Sequence, residues 1–163
     1  MLKYKMPNYK RIFQNGHSYF LTMTTYGRNP ILIENIELLR KSFWVSKQNY
    51  DYDIDAIVVL PDHIHMILTL DNAKNYPKII RSIKQYFSKR CDAKYYVHYP
   101  QSKSRDAEGY LPIWQKRFFE HTVRNEKDLA MILEYMVNNP VKHGLVEHRE
   151  DWKYSSFYKR FHP

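Results

Sequence analysis

A proline and an aspartate, Pro61 and Asp62, divide an apolar and β-branched run into two strand-like halves. Asp53 to Leu60 precedes the pair and His63 to Leu70 follows it. Proline has no backbone N–H for a strand ladder, and Pro-Asp is a common turn dipeptide, so the two halves are predicted to form a β-hairpin. A chain built around such a hairpin is constrained to an antiparallel sheet.

Two histidines, His63 and His65, open the second strand one residue apart. Side chains alternate along a strand, so both imidazoles share one face with Ile67 and Thr69. Neutral imidazole binds metal ions, and a rigid pair needs one or two further ligands to hold a divalent ion. The same pattern also suits two polar residues on the wet face of a half-buried strand, and the pair alone does not decide between these interpretations.

Composition limits the protein class and the partner. At 163 residues and 19.9 kDa the chain is predicted to be a single domain, 1–163, with a substantial core. A net charge of +9 favours an acidic partner, either nucleic acid or an anionic membrane surface. Aromatic residues make up 16%, and among basic residues they suit stacking on unpaired bases, although they also fill cores.

Cysteine use and hydropathy indicate the compartment. The chain has one cysteine, Cys91, which excludes an intramolecular disulfide and a cysteine-based zinc site. The N-terminal segment 1–16 is basic and lacks the apolar run of a signal peptide, and no stretch reaches the ~18 to 20 apolar residues of a membrane span. We therefore expect a soluble, cytoplasmic protein.

Hydrophobic periodicity predicts the order βαββαβ followed by a further helix. The predicted strands and helices are, in chain order, a strand at His17 to Thr25, a helix at Glu34 to Gln48, the two hairpin strands, a helix at Tyr76 to Arg90, a strand at Ile113 to Arg124, and a helix capped by Asn125 that Pro140 halts after Asn138 or Asn139. This order predicts an α+β, ferredoxin-like fold with a four-stranded antiparallel sheet and two helices on one face. The polar segment 92–112 is predicted to be a mobile loop.

The last helix presents polar side chains beside an apolar stripe. Its stripe consists of Leu129, Ile132, Leu133, Met136 and Val137. Tyr135 and Asn139 lie one turn apart on the flank of this stripe, so the tyrosine can project outward. Most tyrosines at such an edge are packing residues, and an asparagine before a proline often caps the helix end.

The histidine pair gives the flanking residues a chemical interpretation. A free phenol has a pKa near ~10 and is a poor nucleophile at neutral pH, but a nearby cation lowers that pKa and neutralises charge on a phosphate oxygen. The combination of His63, His65 and Tyr135 therefore points to phosphoryl transfer. Asn139 offers a carbonyl oxygen that could complete a metal site.

Several spaced motifs resemble the REP-associated tyrosine transposases, a branch of the single-tyrosine HUH endonucleases. They are Pro61 to His65, Trp114 to His121, Arg124-Asn125 and Tyr135 to Gly144, with further similarity at Tyr9 to Thr25 and Asp151 to Phe157. The resemblance implies a ferredoxin-like nuclease fold in which His63 and His65 are the HUH histidines. It also implies that Tyr135 attacks a phosphodiester of single-stranded DNA, leaving a 5′-phosphotyrosine and a free 3′-hydroxyl.

The resemblance also supplies a cofactor, a substrate and a ligand set. It implies Asn139 as the third metal ligand and Mg²⁺ or Mn²⁺ as the ion, whereas the residues alone would suggest Zn²⁺, Ni²⁺ or Mn²⁺. The implied partner is hairpin-forming palindromic DNA, and a monomer acting in cis is favoured over a homodimer. The candidate DNA contacts are Lys10, Arg11, Arg28, Lys84, Trp114, Lys116, Arg117, Arg124, Lys142 and His143, with Glu120 and His121 in supporting roles.

Two other functions remain open at this stage. A ferredoxin-like RNA- or DNA-binding module would stack bases on its sheet and would bind without cleavage. A replication-initiation or relaxase-like HUH nuclease would share the chemistry, although the sequence from Asn139 to Gly144 resembles the transposase branch. The segment from Tyr96 to Pro112 is long for the family, and no extended tail follows Asp151-Trp152.

Overall fold

A computed structural model describes residues 18–162 and contains one four-stranded sheet in that range. Its strands are β1 (Ser18–Thr24), β2 (Asp53–Val59), β3 (His63–Thr69) and β4 (Phe119–Thr122). They lie in the order β2-β3-β1-β4, and each neighbouring pair is antiparallel. This is the ferredoxin-like arrangement that the sequence predicts.

The hairpin forms where the proline and aspartate interrupt the apolar run. Val59 pairs with Ile64, and the backbone N–H of Leu60 donates to the carbonyl of His63 over 2.8 Å. Pro61 and Asp62 therefore occupy the turn, as predicted, and His63 begins the returning strand.

Five helices accompany the sheet within the described residues. They are α1 (Ile36–Asn49), α2 (Tyr76–Arg90), α3 (Lys103–Ala107), α4 (Glu126–Lys142) and α5 (Tyr158–Phe161). Single 3₁₀ turns occur at Tyr26–Arg28, Ala73–Asn75, Ala93–Tyr95 and Arg149–Asp151.

Two cores cover the two faces of the sheet. The α1 and α2 helices pack on the face that carries Leu21, Ile64 and Met66, which confirms two helices on one face. The α4 helix packs its predicted apolar stripe on the opposite face, against Phe20 and Ile67. The histidine strand is therefore buried on both faces, and the interpretation of a half-wet strand was wrong.

The fourth strand is much shorter than the predicted stretch from Ile113 to Arg124. Trp114 makes one isolated bridge to Thr25, after which the chain leaves the sheet until Phe119 pairs with Thr22. The carbonyl of Gln115 accepts a hydrogen bond from Lys84 on α2 instead of from a strand. The N–H of Gln115 still donates to the carbonyl of Thr24, and pairing with β1 resumes at Phe119.

The predicted mobile loop at 92–112 contains regular structure. Its α3 helix begins at Lys103, and Ser102 caps it by accepting from the N–H of Arg105. The Arg105 guanidinium then donates to the carbonyls of Leu111 and Trp114. Periodicity does not show these side-chain bonds, which join the segment to the chain that follows it; its mobility stays a prediction.

The helix α4 begins as predicted and ends later than predicted. The Asn125 side chain caps it by accepting from the N–H of Asp128. Pro140 lies inside the helix, which continues to Lys142. The proline was expected to halt the helix, but it removes only one backbone hydrogen bond, and its fixed φ is compatible with a helical turn.

The C-terminal segment lines the free edge of β2. The backbone N–H of Val59 donates to the carbonyl of Tyr154, Val58 bridges Ser155, and the Trp152 indole donates to the Val59 carbonyl over 2.9 Å. No helix among residues 18–162 is long and apolar enough to cross a lipid bilayer.

Candidate active site

The two predicted histidines lie side by side on the face of β3 that α4 covers. The rings of His63 and His65 are 4.8 Å apart between centroids, and both side chains are buried. Phe20 of β1 stacks on His65 at 5.6 Å. The neighbouring strand and the helix therefore fix the orientation of both imidazoles.

Each histidine makes a hydrogen bond through its Nδ1 atom. His63 donates to Oδ1 of Asp62 over 2.6 Å, and His65 Nδ1 lies 2.7 Å from the Thr22 hydroxyl, its cross-strand neighbour. Such bonds fix the tautomer and ring orientation of metal-binding histidines. Both Nε2 atoms are left for another partner.

Burial keeps His65 neutral. Desolvation, reinforced by the nearby His63, His143, Arg28 and Lys142, lowers the pKa of His65 to about 3. At physiological pH its imidazole therefore retains a lone pair, as a metal ligand requires.

Tyr135 projects from α4 toward the histidines. Its hydroxyl lies 3.5 Å from Nε2 of His65, and its side chain is 42% exposed. The ring meets those of His65 and Phe20 edge to face, at 5.2 Å and 6.2 Å. The predicted outward-facing tyrosine is therefore both accessible and adjacent to the histidine pair.

Asn139 lies one turn beyond Tyr135 and is completely buried. Within residues 18–162, neither its Oδ1 nor its Nδ2 finds a hydrogen-bond partner. Four residues later, the His143 ring packs at 5.0 Å from that of His63, so this face of α4 lies against the histidines. An unpaired buried amide is costly, so these two atoms call for a partner such as a water molecule or an ion.

The donor set fits a divalent ion only if the amide takes part. No three His, Cys, Asp or Glu side chains in the described range converge to hold a metal by themselves. The two imidazoles offer nitrogen ligands of intermediate softness, and the unpaired Asn139 side chain offers a hard carbonyl oxygen. These donor types suit a divalent ion whose remaining positions are filled by oxygens of water or substrate.

Basic residues surround the opening above the histidines, a pocket of about 640 Å³. Arg28, Lys142 and His143 line it together with Tyr135. The Lys142 ammonium lies 5.5 Å from the centre of the Tyr135 ring. Positive charge is thus concentrated where a phosphate would approach the tyrosine.

Arg28 has a strained backbone. Its φ of 57° lies in the left-handed region, which a residue with a β-carbon adopts at a cost of ~1 to 2 kcal/mol. Its Nε donates to Oδ2 of Asp62 over 2.8 Å, and that same carboxylate accepts from His63. Hydrogen bonds therefore link His63 through Asp62 to Arg28, which lies at the surface of the pocket.

The two residues predicted to support the site face different sides of the sheet. His121 lines the pocket and contacts Oδ2 of Asp128 on α4 over 2.8 Å, which joins β4 to the helix that carries the tyrosine. Glu120 faces α2, where its hydrogen bond with Tyr76 raises the pKa of that phenol to about 12. His121 therefore lies at the pocket, and Glu120 lies on the other side of the sheet.

The other predicted DNA contacts are dispersed. Lys84, Trp114 and Lys116 line a cleft on the opposite face of the sheet, with Trp114 only 6% exposed against Phe87. Arg117 and Arg124 are exposed, and the Arg124 guanidinium approaches Asp128 at 3.6 Å. Lys10 and Arg11, in the basic segment 1–16, lie outside the described residues.

Four residues of the site escaped the sequence analysis. Thr22 and Asp62 orient the histidines, Asp128 holds α4, and Phe119 lines the pocket. Asp62 could have been found, since it adjoins His63 in sequence. The others depend on strand pairing and on where α4 docks.

Comparison with known proteins decides the family. Residues 13–139, which include both histidines, Tyr135 and Asn139, match the model of the family described as "Transposase IS200 like". The chain belongs to this family. It is a tyrosine transposase, as the resemblance implied.

Relatives and a solved structure agree with this assignment. A Haemophilus influenzae (strain ATCC 51907 / DSM 11121 / KW20 / Rd) protein assigned as a REP-associated tyrosine transposase is 38% identical over 94% of this transposase and 87% of the relative. The REP-associated tyrosine transposase of Escherichia coli (strain K12) is 33% identical, covering 94% and 84%. A solved REP-associated tyrosine transposase, bound to a REP hairpin, matches with a TM-score of 0.69 and 33% identity over 94% of this transposase and 84% of that chain.

Proposed function

We propose that this transposase is a metal-dependent endonuclease and strand transferase for single-stranded DNA that folds into palindromic hairpins. The observation that carries the proposal is the placement of the Tyr135 hydroxyl 3.5 Å from the buried His65. The named hairpin complex of a 33% identical protein supports the choice of substrate.

In the proposed reaction the Tyr135 oxygen attacks the phosphorus of a phosphodiester. The new O–P bond links the protein to the 5′-phosphate of the downstream fragment, and the bond from phosphorus to the 3′ oxygen of the upstream fragment breaks. The phenol releases its proton as it attacks, and the leaving 3′ oxygen takes up a proton to become a hydroxyl. Attack by that or another 3′-hydroxyl reverses the step and joins strands, so no nucleotide cofactor is needed.

His63, His65 and Asn139 are the residues that would hold the metal. A bound Mg²⁺ or Mn²⁺ would polarise the phosphate and stabilise its developing negative charge. Asp62 and Thr22 keep the two Nε2 atoms aimed away from their own strand. Arg28 and Lys142 line the approach, and their charge would attract and orient the phosphate, beside which His143 supplies a ring N–H.

We further propose that the protein acts as a monomer in cis. The tyrosine and the histidines of one chain already lie within contact distance, so a partner subunit is not needed to complete the constellation. The remaining basic candidates, including Lys10, Arg11, Arg117 and Arg124, are proposed to contact the DNA backbone.

The experiment is a covalent-capture assay. A labelled pool of single-stranded hairpins, drawn from repeats that flank the gene, is incubated with the protein in Mn²⁺ or in EDTA and resolved on a denaturing gel. We expect a protein–DNA band that requires metal and is lost in Tyr135→Phe. DNA that binds and is never cut or linked under any metal would instead assign the protein to the non-catalytic binding modules.

A further inference from the structure

The turn that carries Arg28 has an unusual backbone. Gly27 and Arg28 both have positive φ values, of 61° and 57°, and we call them the left-handed pair. Glycine adopts this region freely, whereas a residue with a β-carbon adopts it only at an energetic cost. In residues 18–162, Arg28 is the only residue other than glycine with a positive φ. Strained backbone of this kind persists only where its surroundings hold it, and it clusters at functional sites.

The left-handed pair places a guanidinium at the active-site pocket. Arg28 lines the pocket beside Tyr135, and its Nε donates to Oδ2 of Asp62 over 2.8 Å. An arginine has five N–H donors, so this bond leaves the terminal ones for a phosphate. The side chain is 51% exposed, so burial does not fix its position. Its position therefore depends on what holds the turn.

Hydrogen bonds join the turn to a distant segment, residues 95–114. The buried Asn29, directly after the left-handed pair, donates from Nδ2 to the carbonyl of Tyr95 over 2.7 Å. The backbone N–H of Tyr26, directly before the pair, donates to the carbonyl of Ile113 over 2.9 Å. The two ends of the segment therefore bond the chain on both sides of the left-handed pair.

Two side chains of the 95–114 segment also pack on the turn. The Tyr99 ring lies against Gly27, where an added β-carbon would lie 3.0 Å from the Cδ1 and Cε1 atoms of the ring. The Arg105 guanidinium lies 4.2 Å from the centre of the Tyr26 ring, within the range of a cation–π interaction. It also donates to the carbonyl of Trp114 over 3.1 Å, which joins the turn to the end of the segment. The segment therefore contacts the turn through its backbone, a ring and a cation.

The 95–114 segment reaches the pocket through this turn. None of the described residues that line the pocket belongs to the segment, whereas Arg28 does line it. The proposed function gives the segment no part. Its contacts nevertheless converge on the turn whose strained backbone places the guanidinium. A change in these contacts would move Arg28 without touching Tyr135 or the candidate metal ligands.

We infer that Asn29, Tyr99 and Arg105 are positioning residues. They hold the left-handed pair so that the Arg28 guanidinium meets the phosphate that Tyr135 attacks. They act through Arg28 and not on the reacting atoms. This inference rests on the proposed function, because that function supplies the phosphate. It assigns the segment a role in cleavage, although no part of the segment lines the pocket.

The first test is a double-mutant cycle on single-turnover cleavage at saturating DNA. Asn29→Ala, Tyr99→Leu and Arg105→Met should each lower the cleavage rate by about three- to tenfold, because a misplaced guanidinium stabilises less charge. Arg28→Asn removes the guanidinium, and asparagine tolerates the left-handed region. In the Arg28→Asn background the same three substitutions should cause no further loss, since no guanidinium is left to position.

Controls separate positioning from general support of the fold. Val97→Ala changes a residue of the same segment that is 58% exposed, and it should leave the cleavage rate unchanged. Urea unfolding verifies that every variant is folded under the assay conditions. Equal losses in the wild-type and Arg28→Asn backgrounds, or no loss in either background, would overturn the inference.

A second measurement follows Arg28 without DNA. The Nε–H group of Arg28, which is bonded to Asp62, gives a proton–nitrogen NMR resonance that is assigned by its absence in Arg28→Asn. This resonance should shift or broaden in the three positioning variants and stay in place in the Val97 control. An unchanged resonance in all three would overturn the inference even while the Tyr135 adduct forms. Absence of the adduct with every DNA would instead refute the proposed chemistry, which separates the two failures.

Discussion

The Tyr135 hydroxyl lies 3.5 Å from Nε2 of His65, across the gap between α4 and the central strand β3. This contact is long for a hydrogen bond and its tyrosine is exposed, so it contributes little to stability. The arrangement is better explained by chemistry than by packing.

Replacing Tyr135 by phenylalanine distinguishes a chemical role of its hydroxyl from a packing role of its ring. Tyr135→Phe should change the free energy of unfolding by less than ~0.5 kcal/mol and should retain hairpin binding, yet form no covalent adduct. Tyr50→Phe, at the end of α1, is the matched control and should form adduct normally. The assay is denaturing electrophoresis beside urea unfolding, and persistent adduct in Tyr135→Phe would assign the nucleophile elsewhere.

The Asn139 amide should contribute to metal binding in the absence of DNA, and this should be visible in the stability of the protein. Its amide is buried and unpaired, so Asn139→Leu should raise the free energy of unfolding in EDTA by ~1 to 3 kcal/mol. Mn²⁺ should raise the melting temperature of the wild type and have a much smaller effect on this variant. Asn138→Leu, whose parent side chain bonds Glu134, should keep the full Mn²⁺ response. An unchanged response in Asn139→Leu would remove the amide from the ligand set.

Arg28 combines a strained backbone with a place at the pocket. Arg28→Gly relieves the left-handed φ and loses only a half-exposed ion pair, so stability should stay level or rise by about 1 kcal/mol. Cleavage under saturating DNA should fall at least ~tenfold, because the phosphate loses its guanidinium partner. Thermal unfolding and single-turnover cleavage measure the two effects. A stable variant with normal cleavage would limit Arg28 to orienting Asp62.

Asp128 should make the anchoring of α4 sensitive to acid. Burial opposes ionisation, but hydrogen bonds from the Arg124 N–H and from His121 hold the pKa of Asp128 below its usual range. Its stabilising effect is therefore complete above pH ~4 and is lost as pH falls through the lowered pKa. Asp128→Asn should destabilise the protein by ~1 kcal/mol at pH 6 and by less at pH 3, as urea unfolding would show. Equal effects at both pH values would contradict this.

Lys84 should also make stability rise with pH, but in the alkaline range and through the loss of a penalty. Burial, with a contribution from Arg105, lowers its pKa to about 8. The charged form is disfavoured on folding, so this penalty is present below pH 8 and disappears as pH rises toward the unfolded pKa of ~10.4. The stability of the wild type relative to Lys84→Met should therefore increase between pH 7 and pH 9.5 in urea unfolding. A difference that stays constant would show that the ammonium remains solvated.

Local sequence patterns predicted the hairpin and the helix that carry the candidate catalytic residues. Pro61 and Asp62 placed the hairpin turn, and a period of two put His63 and His65 on one face. The helical period put Tyr135 on the flank of the α4 stripe, where it lies. These features depend on neighbours in sequence, so periodicity and turn chemistry are sufficient.

Features that depend on distant partners were not predictable in this way. Lys84 bonds the carbonyl of Gln115 where a continuous fourth strand was expected, and Arg105, within the segment expected to be mobile, bonds the carbonyl of Trp114. Local rules predict that the helix ends at Pro140. The helix nevertheless continues to Lys142, and the next residue, His143, packs against His63. Tertiary contacts override local preference in each case.

The histidines lie on a central strand that is covered on both faces, and this position affects the order in which parts of the protein unfold. Amide protons of β3 should exchange with solvent only when the whole domain unfolds, whereas an exposed helix face exchanges through smaller fluctuations. His63 and His65 should thus belong to the last part of the molecule to unfold, and the exposed face of α4 that carries Tyr135 should exchange earlier. If Tyr135 is the nucleophile, we expect it to adjust to a bound substrate while the imidazoles stay fixed.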